Sequence, residues 1–188
     1  IDHFNKSRVN SASIGFGLGS FGYNFQGGNA QYKSDHFQGV TNIYREAIEN
    51  DFSYPLKGTD LRQTQQNAAA LSYGLRQELQ YFWKNQRLSM DLLLFYQHRE
   101  SQPVISQNYA QDFIKTHNIK SVVEHFIDSK KGSISTTIGL ISDQMVYNQN
   151  PAIRFQQMTL TQRYEYDIGH DFHLNSGFLI NFFTAKGA

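Results

Sequence analysis

Arg76, Glu78 and Asp91 have the types and the spacing to do chemistry. Glu78 and Asp91 could serve as acid and base across a hairpin, provided their surroundings held one proton and released the other. Arg76 beside them favours the charged form of both, so a structural ion network is the stronger expectation. Arg163 and Glu165 repeat the two-residue spacing near the far end of the chain. His170-Asp171-Phe172-His173 offers metal-ligand types. On an extended strand, however, His170 and His173 fall on opposite faces, and no third ligand lies near, so these residues suit a turn. Gly15-Phe16-Gly17-Leu18-Gly19 lacks the full glycine spacing and the following helix of a phosphate-binding loop. Glycines alternating with Ile14, Phe16 and Leu18 suit a closely packed strand instead. There is no Gly-x-Ser-x-Gly elbow and no cysteine nucleophile. Ser89 or Ser121 would meet His98 or His125 only on adjacent strands. The expectation is a chain with no catalytic, cofactor or metal site, in which Arg76, Glu78, Asp91, Arg163 and Glu165 line a polar interior.

Composition narrows the class that must position these residues. The chain has 188 residues, a net charge of +1, and no basic run of motif length, which gives no electrostatic case for nucleic acid. Without cysteine, disulfide frameworks and thiolate metal sites are excluded. Hydrophobic residues are 39% of the total, too dilute for helical membrane spans. The longest apolar run, Leu92-Leu93-Leu94-Phe95-Tyr96, falls far short of the roughly 18–20 residues such a span needs. Eleven Tyr and fifteen Phe with only 3 Pro favour strands. The chain starts Ile-Asp-His-Phe, without initiator Met or leader, and reads as a processed or truncated form.

The dominant periodicity is two. In Leu71–Trp83, Leu71, Tyr73, Leu75, Gln77, Leu79, Tyr81 and Trp83 share one face, while Ser72, Gly74, Arg76, Glu78, Gln80 and Phe82 share the other. After Lys84-Asn85-Gln86-Arg87, Leu88, Met90, Leu92, Leu94 and Tyr96 resume it. Further hairpins pair Ile119–Asp128 with Ser133–Tyr147 across Ser129-Lys130-Lys131-Gly132, and Phe155–Ile168 with Phe172–Phe183. Upstream, Ser11–Phe25 reads as one strand with a bulge near Gly19-Ser20, and Gln38–Tyr54 as another. Helix is confined to Tyr109–Thr116, inside the connection Glu100–Asn118, which is also the likeliest recognition loop for a protein or small-molecule ligand. The fold expected for residues 1–188 is a single all-β domain: an antiparallel meander of about eight strands, forming a closed barrel or a section of a larger transmembrane one.

Soluble barrels share this alternation with their greasy face inward; membrane barrels invert it. Arms of 12 or more residues, and aromatics at the ends of the apolar faces (Tyr81, Trp83, Tyr96, Tyr164, Tyr166), favour the membrane form. The last strand resembles the assembly signal of outer-membrane β-barrel proteins of Gram-negative bacteria, matching it at Asn175, Gly177, Ile180 and Phe182. That family usually ends on the aromatic, whereas here Phe183-Thr184-Ala185-Lys186-Gly187-Ala188 follow. The resemblance implies recognition by the barrel-insertion machinery and residence in the outer membrane. The function expected is transport, export or anchoring, with a lipid bilayer or detergent as the surrounding medium. Two alternatives stay open: a soluble periplasmic or secreted barrel that binds a ligand or protein, and an outer-membrane lipid-modifying enzyme with Ser and His on adjacent strands. With eight strands and short turns after the third, fifth and seventh, both chain ends would lie outside the cell. A complete small barrel has both in the periplasm, so a section of a larger barrel is expected.

Overall fold

The computed structural model describes residues 10–55, 57–65, 68–101, 112–148, 150–169 and 172–187. The described residues form eleven strands, most of them on β-branched and aromatic runs: β1 (Ser11–Leu18), β2 (Asn24–Lys33), β3 (Phe37–Ile48), β4 (Phe52–Pro55), β5 (Arg62–Gln65), β6 (Ala70–Trp83), β7 (Gln86–Ser101), β8 (Asp112–Ser129), β9 (Gly132–Tyr147), β10 (Ile153–Asp167) and β11 (His173–Lys186). Nine of them make one antiparallel sheet in the order β1-β2-β3-β6-β7-β8-β9-β10-β11. The short β4–β5 hairpin is separate and belongs to the connection between β3 and β6.

The sheet keeps chain order, and at one end short turns fix the pairing of successive strands. Lys84 and Asn85 alone join β6 to β7, with Lys84 at a left-handed φ of 53°. Lys130 and Lys131 alone join β8 to β9, and Gly132 follows at φ 148°. A side chain there would strike the backbone of Glu165 on β10, so the position requires glycine. The hairpins around Leu71–Trp83, Ser129-Lys130-Lys131-Gly132 and Phe155–Ile168 are therefore as expected, with longer strands.

Four expectations are corrected. Ser11–Phe25 is not one bulged strand. The chain leaves β1 at Leu18, turns through a 3-10 segment at Ser20–Gly22 with Phe21 at φ 59°, and returns as β2. Gln38–Tyr54 breaks after Ile48, where Asn50 takes φ 56°. The helix at Tyr109–Thr116 is not formed: residues 112–116 are the start of β8, and 109–111 lie outside the described residues. The connection Glu100–Asn118 shrinks accordingly, since Glu100 and Ser101 are in β7 and 112–118 in β8; its remainder, 102–111, lies outside the described residues.

The closed barrel is also not observed. Among the described residues, β1 pairs only with β2 and β11 only with β10, leaving both outer edges open. The ninth strand changes the parity as well. The turns after β2, β6, β8 and β10 share one end of the sheet, and the longer connections share the other. β1 therefore starts at the short-turn end and β11 finishes at the long-connection end.

The sheet is a single layer. No hydrophobic side chain of the described residues is buried, and β11 is exposed along its whole length on both faces. Burying a Leu, Ile or Phe contributes roughly 1.5–3 kcal/mol each, and here that contribution waits for whatever meets the sheet.

Candidate functional site

Register, rather than any one residue, builds the two faces. On the polar face, Asn42, Arg76 and Leu93 stand in one row, and Val40, Glu78 and Asp91 in the next. Arg76 bridges Glu78 and Asp91 at 3.0 Å to each. Glu78 and Asp91 thus share a cation instead of a proton. One strand further, Arg87 pairs with Glu124 at 2.8 Å, and Glu124 also accepts hydrogen bonds from Ser89 at 3.4 Å and Ser135 at 3.0 Å. The Arg87 guanidinium lies 5.3 Å from the centre of the Phe126 ring. Asn29 donates to Asn42 at 2.5 Å, Gln38 to Gln80 at 2.6 Å, and Asn118 to Asp143 at 2.7 Å. Thr159 donates to Asn181 at 2.8 Å. The result is a polar network running from β2 to β11. Glu165 takes part through Ser133 at 3.2 Å; Arg163 lies on the same face, paired in register with Ser135 and Gly177. Of the five charged residues expected to act together, three form one cluster and two stand apart.

The other face is an apolar band. Leu75, Leu94 and Ile119 form one row, Leu79, Met90, Val123, Ile138, Leu160 and Ile180 another. Aromatic rings mark both margins. At the short-turn end Tyr81 packs on Trp83 at 5.4 Å, and Trp83 stacks on His125 at 5.5 Å. At the other end Tyr73 meets Tyr96 at 5.9 Å, and Tyr96 meets His117 at 4.8 Å. One polar side chain interrupts the band on β6. Gln77 is satisfied there, taking a hydrogen bond from Thr41 at 2.6 Å and donating to the Tyr32 hydroxyl at 2.8 Å.

The band crosses the sheet obliquely. Through Gln26, Arg45, Tyr73, Tyr96, His117 and Gln144, the register sets Phe16 of β1 level with Arg154 of β10. Phe16 is the centre of the apolar stretch on β1. On β10 the stretch Met158, Leu160, Tyr164, Tyr166 centres on Gln162, eight residues beyond Arg154 over seven strand-to-strand steps. With a rise of about 3.3 Å and a strand spacing of about 4.8 Å, the strands lie about 38° from the perpendicular to the band.

The serine and histidine candidates are not brought together. Ser89 is on the polar face against Glu124, whereas His125 is on the apolar face, 2.9 Å from Gln86. Ser121 pairs with Leu92 and His98 with Lys115, six residues apart along β8. His173 contacts Asp167 at 2.6 Å; His170 and Asp171 lie outside the described residues. No group of His, Asp and Glu suited to a metal occurs among the described residues. Gly15 and Gly17 sit in the exposed edge strand β1, where an added side chain would make ordinary contact with Phe25.

Two features escaped the sequence. At the long-connection end, Phe21 packs on Phe52 at 5.4 Å and the Asn50 amide donates to the Phe21 carbonyl at 2.8 Å, tying two connections together. Tyr23 beside them has its phenol pushed above the ordinary value, first by burial and then by Glu46. The second feature is Arg45, on the apolar face and bonded to Asn24 at 3.2 Å. Both depend on pairing with β2, whose Gln- and Gly-rich sequence carries no apolar alternation. No protein-family model matches the chain, and no curated protein matches it.

Proposed function

We propose that this chain is a section of a transmembrane β-barrel of the bacterial outer-membrane type, serving transport, export or anchoring. Its apolar face meets lipid, and Arg76, Glu78, Asp91, Arg163 and Glu165 face a polar interior. The observation that carries the proposal is the oblique band. An open sheet needs only alternation, but the wall of a barrel needs strands tilted by roughly 35–45°, and a membrane barrel sets that tilt against a level apolar belt. The inclination of about 38° falls in that window. The aromatic margins agree: Tyr73 to Trp83 is ten residues, which at this tilt spans about 25 Å, the height of a membrane apolar band.

The open edges support a section of a larger barrel, because unpaired strand edges are not tolerated in lipid. The odd number of strands supports it too, since bacterial barrels have even numbers. Further strands beyond β1 and β11, from this protein or another copy, would complete the wall, assembled by the barrel-insertion machinery. The test is extraction into detergent micelles followed by circular dichroism. Partition into the micelles with retained β signal is expected. A protein that stays in the aqueous phase with its β signal intact would instead be a soluble sheet whose apolar face is covered by another layer.

A further inference from the structure

We propose that the apolar face carries a groove for an acyl lipid with an anionic, phosphate-bearing headgroup, received by Arg45 and His117. This rests on the apolar face meeting lipid, as proposed above. A groove of about 730 Å³ crosses the face from β1 to β8. Ile14, Ile43, Leu75, Leu94 and Ile119 form its apolar length, and Gly28 opens its floor. A methyl added at Gly28 would already touch Ile43 and the Ser13 carbonyl oxygen at 3.6 Å each, so a larger side chain there would project into the groove.

Charge selects the occupant. The groove is lined by Arg45 and His117 and by no carboxylate. Arg45 makes no ion pair among the described residues; its bond to the neutral Asn24 leaves the charge uncompensated. A cation at the margin of a lipid-facing band, without a protein counter-charge, is placed to meet an anionic lipid headgroup. Arg45, Tyr73, Tyr96 and His117 occupy one register row, so the two basic side chains flank the pair of tyrosines at the band margin. The two basic groups are three strand spacings, about 14 Å, apart, so a headgroup above those rings lies between them and is reached when Arg45 swings over from Asn24, while an acyl chain follows the adjacent row of Ile43, Leu75 and Leu94.

The experiment uses the full-length protein in neutral detergent, with native mass spectrometry reporting retained lipid. The probes are dimyristoyl phosphatidylglycerol and dimyristoyl phosphatidylcholine, which share acyl chains and differ in net charge. Preferential retention of phosphatidylglycerol is expected. Arg45→Gln with His117→Gln should lower that preference about tenfold. Gly28→Leu, which fills the floor, should lower retention of both lipids. Equal retention of the two lipids by the wild type, or an unchanged preference in the double variant, would overturn the proposal. Displacement of phosphatidylglycerol by millimolar inorganic phosphate would also overturn it, since the site would then hold a free anion. Micelle partition is read separately. Its failure removes the membrane assignment and the groove together, whereas loss of lipid preference in a protein that partitions removes the groove alone.

Discussion

Leu75 and Arg76 are adjacent in sequence and stand on opposite faces, so the two make a matched pair of probes. Leu75→Arg should cost roughly 2–4 kcal/mol if the leucine faces the bilayer interior. Arg76→Leu removes the ion pairs to Glu78 and Asp91, but those side chains are 53%, 44% and 45% exposed. Solvent screening then keeps the cost well below that of Leu75→Arg. Urea unfolding from lipid vesicles measures both, and similar costs would mean the two faces are not distinct environments. Tyr23 supplies a pH dependence outside the band. Its pKa is raised by burial and by Glu46, so the neutral phenol is the form the fold prefers. That preference is fully present below the ordinary phenol value of 10.0 and is lost as pH rises through the raised one. Glu46→Gln should bring the phenol back toward its ordinary value, as followed by phenolate absorbance against a Tyr23→Phe blank. An unshifted titration in Glu46→Gln would leave burial as the sole cause.

Elements were legible in the sequence to the extent that their alternation was apolar. β6, β7, β9 and β10 show greasy and polar residues in turn, and their spans were read to within a few residues. β2 reads Asn-Phe-Gln-Gly-Gly-Asn-Ala-Gln-Tyr-Lys, where neither face is apolar, and it was missed. It is held instead by backbone pairing to β1 and β3 and by side-chain bonds such as Asn29 to Asn42. The first half of β8, Asp112 to Asn118, is likewise largely polar and reads in sequence as part of a loop and a helix, yet it pairs with β7 along its length. Register is the quantity on which these strands depend. Inserting one alanine after Gln77 would move Glu78 to Trp83 onto the wrong faces, setting Glu78 on the apolar face and Leu79 on the polar one. Loss of β circular dichroism in micelles is expected for this variant, whereas the same insertion in the connection after Ile48 should be tolerated.

At the level of the whole molecule, the open sheet poses the main question, because among the described residues β1 and β11 each leave a row of backbone groups without a partner in the sheet. If further strands complete the wall, amides on the outer edges of β1 and β11 should exchange as slowly in the membrane as those of the central β7. Hydrogen exchange on the reconstituted full-length protein reads this directly. Fast exchange at both edges beside a protected β7 would argue for an open sheet in a non-membrane setting. The candidate polar site has the same dependence on context. Arg76, Glu78 and Asp91 can be a solvated surface network or the lining of an interior, according to what encloses the face.

Alternation along single strands depends only on the geometry of one extended chain, so the sequence by itself determined the all-β class, the long hairpins and the sorting of Leu75 from Arg76. The spacing of Arg76 and Glu78, with Asp91 across a short turn, was local enough to suggest their cluster. Everything that requires alignment between strands was decided by the tertiary structure. The ninth strand, the open edges, the Arg87–Glu124 network, the placement of Arg45 beside Tyr73 and the slant of the apolar band all arise from register. Register is set by backbone hydrogen bonds and turn lengths summed across the sheet, and no single strand's sequence records that sum.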